Sequence, residues 1–135
     1  MEEERRSAIG RWVAKSHEDM EAVALMMKIG YARAAVSIAY FAAFHIAAAA
    51  LLAHDVRRSR RSRIRAAFGE YLVKPGLVER EYSGIIAKLE AMREQADYQP
   101  DLQHVSVEVA KPLVADAERF VARIEQYLKA VGAIE

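Results

Sequence analysis

Arg93-Glu94-Gln95-Ala96-Asp97-Tyr98 sets a guanidinium, two carboxylates and a phenol within six consecutive residues. On a helix Asp97 lies one turn beyond Arg93 and on the same face, within reach of its guanidinium. Arg93 follows Leu89 by four positions and Ile86 by seven, so its stem flanks an apolar stripe instead of pointing away from it. A planar donor fork held at the edge of an apolar groove suits phosphate or carboxylate recognition. The same spacing also suits a structural ion pair that closes a helix, and the residues alone leave both readings open. Glu90, Glu94 and Asp97, spaced by four and three, read as a solvated, partly salt-bridged face and not as metal ligands. The four histidines show no ligand spacing and no glycine-rich phosphate loop occurs, so no metal or cofactor is called for.

A second constellation is electrostatic. Arg57, Arg58, Arg60, Arg61, Arg63 and Arg65 fall between positions 57 and 65 with no acid among them. Several lie near the start of a helix, where the macrodipole opposes cations, so a phosphate backbone or an acidic partner surface would offset the cost. No aromatics are interleaved, and such a patch would track backbone instead of stacking bases. A solvated basic loop is the alternative.

The elements that must position these groups are helices. Val78, Tyr82, Ile85, Leu89, Met92 and Ala96 recur at alternating spacings of four and three, the seam of a helix over about 77–96. Ile9, Val13, Ser16, Met20, Val23 and Met27 mark another over 3–29, stopped by Gly30, and a second helix follows over 31–54. A third is expected over 62–73, ended by Lys74-Pro75-Gly76, and a fifth over 112–131 carries Leu113, Ala117, Phe120, Ile124 and Leu128. Proline cannot donate inside a helix, so Pro112 is placed in the first turn of that fifth helix, with 106–110 as a preceding turn or kinked segment. No strand alternation or internal repeat competes, and 135 residues is a length for one domain with one core, 1–135.

From Ala34 to Ala53 the only polar side chains are Ser37, Tyr40 and His45, a stretch long enough to span a bilayer. Ten of those residues are alanine, which inserts poorly and instead lets neighbouring backbones approach closely. The reading is a buried central helix and no membrane. His45 shares a stripe with Ile38, Phe41 and Leu52; it is either a core histidine satisfied by hydrogen bonds or a base or donor near the Arg93 cluster. The chain has no cysteine, and its acidic start Met1-Glu2-Glu3-Glu4 lacks the pattern of a secretory signal, which fits a cytoplasmic location. Net charge is only +1, so nucleic-acid affinity would have to come from a local patch.

Arg93 to Tyr98 resembles the Arg-x-x-Ala-Asp-Tyr signature of a prokaryotic branch of the HEPN superfamily, small helical proteins often paired with a minimal nucleotidyltransferase. Ala35-Val36-Ser37-Ile38-Ala39-Tyr40-Phe41-Ala42-Ala43-Phe44-His45 is similar to that branch's Ala-Val-Ser-Arg-Ala-Tyr-Tyr-Ala-Ala-Phe-His helix. Weaker echoes are Ala67-Phe68, Val73-Lys74-Pro75-Gly76-Leu77 and Ala117-Glu118-Arg119-Phe120-Val121, so the match runs along nearly the whole chain in order. Two positions depart from it: Arg61-Ser62-Arg63 stands where the branch often reads His-Arg-Gly, and Ile38 where an arginine is usual.

The resemblance implies an all-α, HEPN-type bundle of about five helices. It also implies a homodimer whose motif arginines face a shared cleft, and a toxin–antitoxin-like module with a small nucleotidyltransferase. Arg93, Asp97, Tyr98 and His45 would form the catalytic or phosphate-binding site for RNA or a nucleotide. Ribonuclease-type relatives carry Arg-x4-6-His, whereas Tyr98 follows Arg93 here; a phenol, ordinarily with a pKa of about 10, is a poor general base. His104 lies eleven positions after Arg93, the wrong spacing for the motif. A metal-independent endoribonuclease toxin and a purely structural partner subunit stay open as alternatives to a binding component.

Overall fold

The computed structural model describes residues 1–57, 60–98 and 105–135. Five α-helices occur among them: α1 (Glu3–Lys28), α2 (Ala32–Ala53), α3 (Arg61–Phe68), α4 (Arg80–Tyr98) and α5 (Val107–Ala130). This is the all-α bundle that the seams predict, with no strand among the described residues.

The alanines of α2 decide the architecture. Ala35, Ala39, Ala42, Ala43, Ala47, Ala49 and Ala50 are fully buried, and α1, α3, α4 and α5 all pack on this helix. Alanine has high helix propensity and little bulk, so neighbouring backbones can close in on every side. Ser16 shows how close: its buried hydroxyl donates to the Ala42 carbonyl at 2.7 Å, joining α1 to α2. α2 is apolar and long enough to cross a bilayer, but its surface is covered by the rest of the bundle. Ile9, Val23, Phe68, Leu72, Ile86, Leu89, Phe120, Ile124 and Leu128 fill one core around it.

The helix ends follow from local chemistry. Gly30 sits at φ 85°, and the Tyr31 and Gly30 amides donate to the Met26 and Met27 carbonyls, a left-handed stop that reverses the chain into α2. Asp55 does the same after α2 at φ 57°, with the Val56 amide on the Leu51 carbonyl.

Several boundaries differ from the sequence reading, three of them for a visible local reason. α3 begins one residue early and runs on through a π-helical turn, Gly69–Val73, whose wider winding lets the Lys74 amide reach the Gly69 carbonyl. α4 starts at Arg80, not 77, because the Leu77 and Val78 amides both fold back onto the Leu72 carbonyl. α5 starts at Val107, with Ser106 as its cap: the Ser106 hydroxyl accepts from the Val109 amide at 3.1 Å. Pro112 therefore lies inside the helix and not in its first turn, where it leaves the Glu108 carbonyl without its usual donor.

Candidate functional site

α4 continues through Tyr98, so the whole segment from Arg93 is helical, on a helix that packs against α2. The Arg93–Asp97 pair forms as the spacing predicts, at 3.1 Å, and both side chains are largely covered. Asp97 is itself held from α2, since the Ser37 hydroxyl donates to its second oxygen at 3.2 Å. The guanidinium lies 5.2 Å from the Phe41 ring centre and 5.6 Å from that of Tyr40. From a different element Arg61 approaches the same Phe41 ring, at 5.7 Å. Two guanidiniums on one aromatic ring repel each other, and an anion between them would relieve that repulsion. The Arg93 Nε is buried with no acceptor among the described residues.

These groups border a cleft of about 440 Å³ between the start of α3 and the α2–α4 pair, lined by Tyr40, Arg60, Arg61, Glu90, Arg93 and Glu94. It is large enough for a nucleotide. Burial, with the Glu90 carboxylate nearby, pushes the Tyr40 phenol up from 10 to about 12, so it is a neutral hydroxyl at physiological pH. Glu90 forms an ion pair with Arg65 at 3.6 Å, too long for a hydrogen bond, and its buried Oε2 has no hydrogen-bond donor among the described residues.

The remaining sequence candidates are distributed around this cleft. His45 is buried and does not line it: Nδ1 meets Asp19 of α1 at 2.5 Å, and the ring stacks on Trp12 at 5.5 Å and on Phe41 at 6.0 Å. The histidine thus touches the ring beneath Arg93 instead of sharing a ligand with it. Tyr98 ends α4 and is exposed. Of the arginine cluster, Arg60 and Arg61 enter the cleft and Arg65 faces Glu90. Arg57 pairs with Asp55 at 3.4 Å, and Arg63 is exposed on α3. Arg58 and His104 lie outside the described residues. No acid stands in the first turn of α3, so its arginines oppose the macrodipole as the sequence implies.

The sequence reading does not place Ser37, Tyr40, Phe41, Glu90 or Asp19 in the site. Glu90 reads there as part of a solvated, partly salt-bridged face; it does pair with Arg65, but nothing in its spacing shows that α3 closes over it. Asp19 sits 26 positions from His45, on another helix, and no local pattern links them.

The described residues thus form a five-helix bundle with Arg61 and Arg93 gathered over Phe41. Residues 9–127 match the family model described as the HEPN domain, and the chain belongs to that family. It is 32% identical over 126 residues to a protein of Methanocaldococcus jannaschii carrying the provisional name of a toxin, covering 93% of this chain and 92% of that one. It is 29% identical over 126 residues to a UPF0332 protein of Thermotoga maritima, covering 93% and 95%. Among solved structures, TT1696 from Thermus thermophilus superposes with a TM-score of 0.76 at 16% identity, covering 89% of this chain and 98% of that one, a likeness of fold.

Proposed function

We propose that this chain is the nucleotide- or RNA-binding member of a toxin–antitoxin-like pair, acting as one HEPN-like domain over residues 1–135. It works in the cytoplasm as a homodimer beside a small nucleotidyltransferase, in the manner of the Arg-x-x-Ala-Asp-Tyr branch. The observation that carries this reading is Arg93: a largely buried guanidinium fixed by Asp97, seated on Tyr40 and Phe41, and joined at one cleft by Arg60 and Arg61. A charge held in place before the ligand arrives needs little reorganisation to receive a phosphate. Asp97 orients the fork, and His45 supports the platform through Phe41.

Tyr98 stands at the end of α4 with its side chain open to a partner enzyme. Its hydroxyl can attack the α-phosphate of a nucleoside triphosphate, forming a phosphodiester with pyrophosphate leaving and the phenolic proton passing to the partner's base. No histidine lines the cleft among the described residues, which favours binding over the endoribonuclease reading.

The test is titration of single-stranded RNA and of mononucleotides against the wild type and Arg93→Ala, with circular dichroism and light scattering alongside. Affinity falls at least tenfold while the helical spectrum and a dimeric mass are retained. Equal binding by the variant overturns the clamp, cleavage of RNA in EDTA that depends on Arg93 moves the assignment to the endoribonuclease, and a partner subunit that binds no nucleotide is purely structural.

A further inference from the structure

The cleft is not uniformly basic. Glu90 and Glu94 stand on its wall one turn apart, on either side of Arg93, and a groove that held phosphate alone would be weakened by both. The Glu90 Oε2 is buried and has the Arg65 guanidinium 3.6 Å away but no hydrogen-bond donor among the described residues, so a ligand N–H would complete it. Tyr40 lines the same cavity, and its phenol is neutral. An ionised carboxylate only accepts, whereas a neutral phenol can donate.

Resting on the nucleotide-binding reading above, we propose that Glu90 and Tyr40 read the Watson–Crick edge of a guanine whose phosphate lies on Arg93, Arg60 and Arg61. Guanine is the one RNA base with two adjacent N–H donors on that edge, N1–H and the N2 amine, and these match the two oxygens of one carboxylate. Its neighbouring O6 accepts, which suits the Tyr40 hydroxyl. Adenine and cytosine would turn a ring-nitrogen lone pair toward Glu90, and uracil offers a single donor between two carbonyls. A site whose buried polar groups are matched by one ligand rejects those that leave them unpaired.

Calorimetric titration of the wild-type protein with GMP, IMP and AMP tests this. Affinity falls in that order, IMP having lost the N2 amine alone, with GMP about tenfold or more tighter than AMP. Glu90→Gln removes the preference: GMP loses its advantage over AMP, while AMP binds more tightly because a negative charge beside its phosphate is gone. Equal binding of GMP and AMP by the wild type overturns the proposal, and it does so whether or not the variant folds. So does a guanine preference that survives Glu90→Gln in a protein with the wild-type helical spectrum. If Arg93→Ala weakens all three nucleotides alike and the wild type shows no base preference, the clamp stands and only the guanine reading falls. If the wild type binds none of them, both fall.

Discussion

Phe41 carries both Arg93 and Arg61 on one ring, at 5.2 and 5.7 Å, so Phe41→Leu removes two cation–π contacts while keeping most of the apolar volume. Each such contact is worth about 0.5–1 kcal/mol when exposed and about 2 kcal/mol when desolvated. Arg93 is 12% exposed and Arg61 lies at the cleft mouth, so about 1 kcal/mol belongs to the first pair and about 0.5 kcal/mol to the second. The lost stacking on His45, at 6.0 Å, adds about 0.5 kcal/mol. Phe41→Leu is therefore destabilised by about 2 kcal/mol in urea denaturation. A double-mutant cycle with Arg93→Met isolates the pair, with a coupling of about 1 kcal/mol. The same substitution loosens the guanidinium that Asp97 still holds, and phosphate affinity falls about fivefold, the equivalent of about 1 kcal/mol. A coupling indistinguishable from zero, with Phe41→Leu binding phosphate as tightly as the wild type, would refute the platform.

Three further outcomes follow from the same geometry. Replacing Arg60, Arg61 and Arg63 together with alanine lowers the salt dependence of single-stranded RNA binding by roughly 2 in log–log slope, about 0.7 for each lost phosphate contact, as read by anisotropy from 50 to 300 mM salt; an unchanged slope leaves a solvated loop. Tyr40, raised by burial and Glu90 to about 12, stabilises the fold below pH 10, and that stability is lost as pH rises from about 10 to about 12. Denaturation at pH 9 and at pH 11.5 shows a fall smaller by about 2 kcal/mol in Tyr40→Phe than in the wild type. Ser106→Ala removes the cap of α5 and costs about 1 kcal/mol by thermal or chemical denaturation, with no effect on nucleotide affinity because the cap lies outside the cleft.

What was legible beforehand is what repeats locally. The stripe Tyr82, Ile85, Leu89 and Ala96 is buried as its spacing demands, and Arg93 meets Asp97 because one helical turn separates them. Ser16, set among apolar seam positions, is buried and finds its acceptor on α2. What was not legible depends on two helices meeting. The orientation of Glu90 follows from where α3 crosses α4, and α3 is tied to α4 by an arginine whose partner no periodicity names. His45 was readable as buried, yet its link to Asp19 and Trp12 comes from the α1–α2 contact. The start of α5 departs from the proline rule because the serine cap lies six residues before Pro112; a well-made N-terminus lets the helix form and absorb the missing donor there.

The alanine surface of α2 also has a consequence for opening and for inheritance. A helix whose own side chains are small and whose neighbours close in on it has no slack, so it exchanges its amide hydrogens last, when the whole bundle comes apart. Ser37, Tyr40 and Phe41 ride on that shaft and share its immobility, whereas Arg60 and Arg61 stand at the edge of the short α3. One wall of the cleft is thereby cast with the core, and the other is carried by a short helix at its rim. Descendants of this sequence can change Arg60 and Arg61 without touching that casting, whereas a single added methylene along the shaft would crowd the helices that lean on it.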